Sequence, residues 1–114
     1  MYQLYQAVAP RPEDFGKLLD KIGEAMKKDF SFADDIRKIQ ARTLIVAGDA
    51  DIFPPSHAVE MFALLGGGLR DAGWDGAGMS KNRLAILPGK THYNIFMDPA
   101  VAAVVLPFLD EPAR

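Results

Sequence analysis

The chain has 114 residues, of which 49% are hydrophobic and 25% are charged, which are the size and composition of one globular domain. Its formal net charge is -2 and its basic residues are scattered, so we expect no nucleic acid partner. The absence of cysteine excludes disulfides, thiolate catalysis and cysteine-based zinc sites. No apolar run approaches membrane-spanning length and no signal-peptide pattern is present, so we expect a soluble, cytoplasmic protein without a membrane partner.

The first forty residues are predicted to be mainly helical. Residues 2–11 show no usable period, and Pro10 and Pro12 are expected to keep the chain out of a helix until the second proline. Ser31 is expected to cap a short second helix that leads into the first strand. The first of these two helices carries an apolar stripe at helical spacing, typical of a packing face, formed by Phe15, Leu18, Leu19, Ile22 and Met26.

Two short apolar runs predict neighbouring parallel strands. Residues 43–47 are rich in β-branched side chains and stop at Gly48, and residues 83–87 form a second run of the same kind. A helix over residues 56–65 lies between them, with Ser56 at its start. We therefore expect a right-handed strand, helix, strand crossover.

The remaining segments are predicted to be a loop and a final helix. Residues 66–82 hold six glycines and little periodicity, which indicates a long surface loop with Trp74 as an anchor. Asp98 and Pro99 are expected to open the last helix as its cap and first residue. Pro107 is expected to kink or end that helix.

A carboxylate follows the first predicted strand and an imidazole follows the second. Asp49 and Asp51 come directly after Gly48, and His92 follows the second run. The carboxyl ends of adjacent parallel strands lie at one edge of a sheet, so Asp51 and His92 are within reach of each other. Such a carboxylate fixes the histidine tautomer and lets the imidazole act as a general base. The alternative, that both are ordinary loop and turn residues, stays open.

Three stretches occur in an order that is found in one enzyme family. They are Leu44-Ile45-Val46-Ala47-Gly48-Asp49-Ala50-Asp51, then Pro55, His57 and Glu60-Met61-Phe62, and finally Leu87-Pro88-Gly89-Lys90-Thr91-His92. In this order they resemble the C-terminal part of an α/β-hydrolase, and residues 9–41 resemble the end of its cap region. The resemblance implies an α/β fold, with a partial α/β-hydrolase-type parallel sheet (late strands) and flanking helices. It makes residues 1–114 a single, incomplete domain, with cap-end helices in residues 1–40 and core elements in residues 41–114.

The resemblance also implies roles for individual residues. In this family the triad acid follows one late strand and the histidine follows the last. By resemblance Asp51 is the acid, His92 is the base and Asp49 is only a neighbour. Phe53 and Tyr93 are expected to contact the substrate, a small-molecule ester or other acyl compound. Ile95 and Phe96 are also placed to touch it, although all four are equally suited to a core. We expect neither a cofactor nor a metal.

The nucleophile of that family is missing. No Gly-x-Ser-x-Gly pentapeptide is present, and the only serines are Ser31, Ser56 and Ser80. The first two are explained as helix caps, and Ser80 precedes a strand instead of following one. We therefore expect a chain that supplies the acid and the histidine but is not competent without an upstream serine. The alternative is a non-catalytic fragment or interaction domain that forms homo-oligomers through its strand edges.

Two other chemistries fit these residues less well. Asp49 and Asp51 after an apolar strand are similar to the aspartate pair of haloacid-dehalogenase-type phosphatases, but Phe53 stands where that family has threonine and no later acidic pair follows. A metal site formed by Asp49, Asp51, His57 and His92 has a suitable set of donors, but no ligand spacing enforces it.

Overall fold

The computed structural model describes residues 1–112, which form two compact units, the first being Met1–Ser31 and the second beginning at Phe32. None of the helices in this range is long and apolar enough to cross a membrane. The elements in chain order are α1 (Tyr2–Val8), a 3-10 turn (Pro12–Asp14), α2 (Phe15–Met26), α3 (Ala33–Ile36), β1 (Leu44–Gly48), α4 (Pro55–Leu64), β2 (Arg83–Leu87), a second 3-10 turn (Ile95–Met97) and α5 (Pro99–Asp110).

Helix α1 lies where the sequence predicts no helix, so that prediction is wrong. A proline disfavours the helical conformation of the residue before it, and Ala9, before Pro10, accordingly takes the extended values φ -76° and ψ 137°. This restriction ends the helix but does not act on the residues further upstream. Tyr2 and Tyr5 each place a ring 5.1 Å from the ring of Phe15, which joins α1 to the start of α2.

Helix α2 confirms the helix predicted from the apolar stripe. Pro12 starts the preceding 3-10 turn, where its missing N–H is not required. No residue of the unit Met1–Ser31 is buried. The apolar stripe of α2 therefore stays partly exposed to solvent within this unit. Its exposed members are Leu18, Leu19, Ile22 and Met26.

Strands β1 and β2 confirm the two predicted runs and pair in parallel. The register sets Leu44 opposite Arg83 and Gly48 opposite Leu87. Helix α4 connects the strands and packs on both, and α5 packs on β1. The unit is thus of mixed α/β class with a two-stranded sheet. Within residues 1–112 each strand has only one neighbour, so the outer edge of each is unpaired.

The core of this unit is small. Its buried apolar side chains are Ala58 on α4, Leu87 at the end of β2 and Ile95 on the second 3-10 turn. A two-stranded sheet alone is marginally stable in water, so the helices must supply much of the burial. Most of the large apolar residues described keep substantial exposure.

An ion-pair cluster fastens the end of α5 to the amino end of the sheet. Glu111 accepts from Arg42 Nη2 at 3.0 Å through Oε2 and from Arg83 Nη2 at 3.0 Å through Oε1. Arg42 also donates to the Phe108 carbonyl at 2.9 Å and to the Glu111 carbonyl at 2.5 Å, and its guanidinium lies 4.6 Å from the centre of the Phe108 ring. The last carbonyls of α5 therefore find donors outside the helix.

Helix α5 begins as predicted but continues past its predicted end. Asp98 Oδ1 accepts from the Ala100 N–H at 2.8 Å, with Pro99 as the first helical residue. Pro107 does not end the helix, which continues beyond it. Proline removes one helical hydrogen bond, but Arg42 binds carbonyls of the following turn and supports the continuation.

Asn82, buried just before β2, links three segments of the chain. It is 2% exposed. Its Oδ1 accepts from the Thr43 N–H at 2.8 Å, and its Nδ2 donates to the Leu65 carbonyl at 2.7 Å. Its own N–H donates to Ser80 Oγ at 3.1 Å. One side chain thus joins the start of β1, the end of α4 and the start of β2.

Three smaller predictions are wrong. Helix α3 begins at Ala33 with Phe32 at its N-cap position, one residue after the predicted Ser31. Helix α4 begins at Pro55, likewise without such a bond, so Ser56 does not cap it. Trp74 has a relative exposure of 107% and anchors nothing in the described chain, although residues 66–82 do form the predicted loop.

Candidate functional site

The turns that follow β1 and β2 are bonded to each other through the backbone. The Asp49 N–H donates to the Leu87 carbonyl at 3.1 Å, and the Ala50 N–H donates to the Lys90 carbonyl at 3.0 Å. Gly48 permits this approach, because a Cβ on it would lie 2.1 Å from the Lys90 carbonyl oxygen. The glycine that ends β1 is thus required by close contact between the turns.

Asp49 fastens the same two turns through its side chain. Its Oδ1 accepts from the Gly89 N–H at 2.7 Å. Gly89 has φ 66°, a left-handed conformation that other residues resist. Further along, Lys90 forms an ion pair with Asp98. Hydrogen bonding from Lys90 and then from the Ala100 N–H lowers the pKa of the Asp98 carboxyl below its ordinary value.

Asp51 and His92 meet at the carboxyl ends of the two strands. His92 Nδ1 lies 3.0 Å from Asp51 Oδ1. The Asp51 side chain is 9% exposed and the His92 side chain is 39% exposed. His92 lies in a turn held by reciprocal bonds: Asn94 Oδ1 accepts from the Thr91 N–H at 2.8 Å, and Thr91 Oγ1 accepts from the Asn94 N–H at 3.3 Å.

The protonation of Asp51 decides the tautomer of His92. Desolvation raises the pKa of the Asp51 carboxyl, but hydrogen bonds from the Gly48 backbone, the His92 ring and the backbone of Ile52 and Phe53 outweigh it, so the pKa is lowered. At neutral pH the carboxylate is therefore ionised and can only accept hydrogen bonds. His92 must then carry its proton on Nδ1, which leaves the lone pair of the neutral ring on Nε2.

A cleft of about 280 Å³ adjoins this pair. Asp51 and His92 lie in its wall together with residues of β1, α4 and the second 3-10 turn. The other lining residues are Ile45, Val46, Ala47, Phe53, Pro54, His57, Ala58, Met61, Ile95 and Phe96. An apolar wall with a few polar groups is typical of a small-molecule site.

The aromatic residues predicted to touch a substrate are placed differently from one another. Phe53 lines the cleft, and its ring centre lies 6.3 Å from that of His92. Phe96 also lines the cleft, at 5.7 Å from His92. Tyr93 packs edge-on against His92 at 5.9 Å but is not among the described residues that line the cleft. Ile95 lines it and is buried.

Ser80 lies away from this site. It precedes β2, whereas His92 follows β2, so the two residues stand at opposite ends of the strand. Its Oγ accepts from the Asn82 N–H, and the residue lines a separate cavity beside the loop after α4. The structure therefore does not bring Ser80 to the Asp51 and His92 pair.

The acidic residues and histidines do not assemble into a metal site. Asp49 is bonded to Gly89, and Asp51 is bonded to His92. Within residues 1–112, no group of three or more histidine, aspartate or glutamate side chains is arranged to hold a metal ion. His57 lies in the first turn of α4, facing the cleft.

Sequence reasoning did not assign His57 to the cleft. The available signal was the spacing of four residues between Phe53 and His57, which a single helical turn can bring together. In the structure the His57 N–H donates to the Pro54 carbonyl at 2.9 Å. This turn directs His57 back towards Phe53, and their ring centres lie 5.6 Å apart.

Comparison of the chain with protein-family models, curated proteins and solved structures finds no match.

Proposed function

We propose that this chain supplies the acid and the histidine of a serine hydrolase of the α/β type, which cleaves a small ester or other acyl compound. The observation that carries the proposal is the 3.0 Å contact between Asp51 and His92 at the carboxyl ends of adjacent parallel strands. The sequence resemblance described above adds the order of the two strands and the spacing from Gly48 to Asp51.

In the proposed reaction His92 acts first as a base and then as an acid. A serine hydroxyl transfers its proton to His92 Nε2 while its oxygen attacks the carbonyl carbon of the ester. Asp51 stays ionised and stabilises the imidazolium through Nδ1–H. The imidazolium then gives its proton to the departing alcohol, and water hydrolyses the acyl-enzyme by the same two proton transfers.

The serine is proposed to come from a segment outside the 114 residues. Ser80 stands at the opposite end of β2 from His92, and neither Ser31 nor Ser56 directly follows a strand. The outer edge of β1, unpaired within residues 1–112, offers a place for a further strand beside the acid strand.

A fusion tests the proposal. The chain is joined behind the first half of an α/β-hydrolase that carries the serine, and hydrolysis of 4-nitrophenyl butyrate is measured. We expect His92→Ala to lower kcat/KM by at least about a hundredfold, because general base catalysis contributes about 10²–10⁴. Ser80→Ala is the matched control and should leave kcat/KM unchanged. A folded fusion whose turnover survives His92→Ala would contradict the proposal.

The physical basis of the pair is tested on the 114-residue chain itself. Because Asp51 only accepts, the Nδ1 proton of His92 is held in one hydrogen bond and should give a downfield proton resonance in the NMR spectrum. Asp51→Asn should remove or strongly shift that resonance while the amide spectrum stays folded. An unchanged resonance in Asp51→Asn would mean that the two side chains do not interact in solution.

A second candidate function is self-association without catalysis. It is favoured by the small core of Ala58, Leu87 and Ile95 and by the two unpaired sheet edges of the described chain. Pairing of strand edges between copies would form a homo-oligomer. Light scattering measures the absolute mass of the purified chain. A monomer at every concentration would contradict this candidate, and an inactive oligomer that gains no turnover in the fusion would favour it.

A further inference from the structure

The cleft beside Asp51 and His92 has one further polar side chain, that of His57. The other described lining residues are all apolar. Asp51 and His92 are engaged with each other, whereas the His57 ring makes no hydrogen bond with another described residue. We propose that His57 is a specificity-determining residue that hydrogen-bonds the oxygen of a small neutral ligand in this cleft. The inference rests on the proposed function, because it concerns the substrate of the same site.

The position of His57 suits this role. Its ring centre lies 5.6 Å from that of Phe53, and Phe53 lies 6.3 Å from His92. Phe53, His57 and His92 all line the cleft, so a ligand that packs against Phe53 lies near both imidazoles. The next residue, Ala58, is buried, so the first turn of α4 is held against the core. A polar group on a packed helix keeps its direction better than one on a loop.

The residues that line the cleft indicate which class of ligand it would bind. The described lining residues include no lysine or arginine, and the carboxylate of Asp51 lies among them, so an anionic ligand would face this carboxylate without a lysine or arginine to bind it. The apolar side chains suit an alkyl or aryl group. The volume of about 280 Å³ is small for a ligand pocket, which favours a short acyl group. The expected ligand is thus a short neutral ester whose oxygen accepts from His57.

Binding to the full chain tests the inference without any turnover. Ethyl butyrate is titrated into the 114-residue protein, and the amide and imidazole signals of the cleft are followed by NMR. His57→Phe keeps the ring beside Phe53 and removes the hydrogen bond, which should weaken binding about three- to tenfold. His57→Gln keeps a donor and should stay within about twofold of the original affinity. Glu60→Gln, on the exposed side of α4, is the control.

Three results would overturn the inference. They are equal affinity in His57→Phe and the unchanged chain, no shift of cleft signals by ethyl butyrate, and binding of the butyrate anion as tight as that of the ester. Failure of the proposed function gives a different result: the fusion would show no turnover dependent on His92, whatever ethyl butyrate does. A loss specific to His57→Phe would support the inference.

Discussion

The two ends of the same two-stranded sheet use polar residues differently. At the amino end, Asn82 and Glu111 have bonding partners on both sides, drawn from three segments of the chain. At the carboxyl end, Asp51 holds one nitrogen of His92 and leaves the other nitrogen free to act. Polar groups that are fully bonded stabilise a fold, whereas a group with one oriented, unused atom beside a cleft is available for chemistry. Substitutions at the two ends should therefore have different consequences.

The largest effect is expected at the close contact that joins the two carboxyl-end turns. Gly48→Ala places a Cβ 2.1 Å from the Lys90 carbonyl oxygen; the Cβ is held directly by Cα and the carbonyl belongs to the backbone, so neither can rotate away. We expect a loss of about 3 kcal/mol in the free energy of unfolding, measured by urea denaturation. Gly23→Ala is the control, because a Cβ there meets nothing of the described chain within 4 Å and alanine favours the helix. Equal stability of the two variants would contradict the contact.

The second-largest loss of stability is expected from a substitution of Asn82, at the amino end of the sheet. Asn82→Ala leaves the Thr43 N–H and the Leu65 carbonyl without their partner, and each buried unsatisfied group costs about 1–3 kcal/mol. We expect a loss of about 2–3 kcal/mol in urea denaturation. Asn82→Asp keeps the acceptor for Thr43 but buries a carboxyl group and turns an oxygen towards the Leu65 carbonyl, so it should also be destabilised. An Asn82→Ala chain as stable as the original would show that water replaces both.

A smaller loss is expected in the ion-pair cluster. Glu111→Gln keeps the size of the side chain but removes the charge between Arg42 and Arg83, which are partly exposed. Solvent screening limits the loss to about 1–2 kcal/mol. Glu60→Gln on α4 removes one exposed carboxylate without such partners in the described chain and should change the stability by less than about 0.5 kcal/mol. High salt screens the ion pairs, so it should reduce the difference in the free energy of unfolding between Glu111→Gln and Glu60→Gln.

The smallest effect is expected in how the stability of the chain changes at acid pH when Asp98 is replaced. The pKa of Asp98 is lowered in the folded chain by Lys90, so the folded state binds this proton less readily than the unfolded state. The resulting stability is present above the unfolded pKa of about 4 and is lost as the pH falls through the folded pKa. Asp98→Asn keeps a capping side chain but cannot titrate, so its urea midpoint should fall less between about pH 5 and about pH 2.

The sequence predicted the parts of the fold that depend on local pattern. The bounds of β2 and the helix from Phe15 follow from the spacing of apolar residues, and Gly48 marks the end of β1. The contact of Asp51 with His92 could be expected because both follow strands of one parallel sheet. Such predictions need only the period of each element and the rule for parallel sheets.

The parts that were missed depend on partners that are distant in sequence. Arg42 and Glu111 are 69 residues apart, and no local pattern joins them. Arg42 also supports the continuation of α5 past Pro107, so a prediction made from the proline alone gave the wrong end of the helix. Asn82 looked like one more loop residue, since its two partners lie at the start of β1 and after α4. These are tertiary contacts that override local preference.

The bonds between the two carboxyl-end turns also constrain motion. The Asp49 N–H donates to Leu87, the last residue of β2, the Ala50 N–H donates to Lys90 in the turn after β2, and the Gly89 N–H donates to the Asp49 side chain. If one turn moves away from the sheet, the other turn must therefore move with it, or several hydrogen bonds must break at once. The backbone segments that carry the acid and the histidine should therefore separate only in rare openings of the strand pair, and not in the fast fluctuations usual for surface loops.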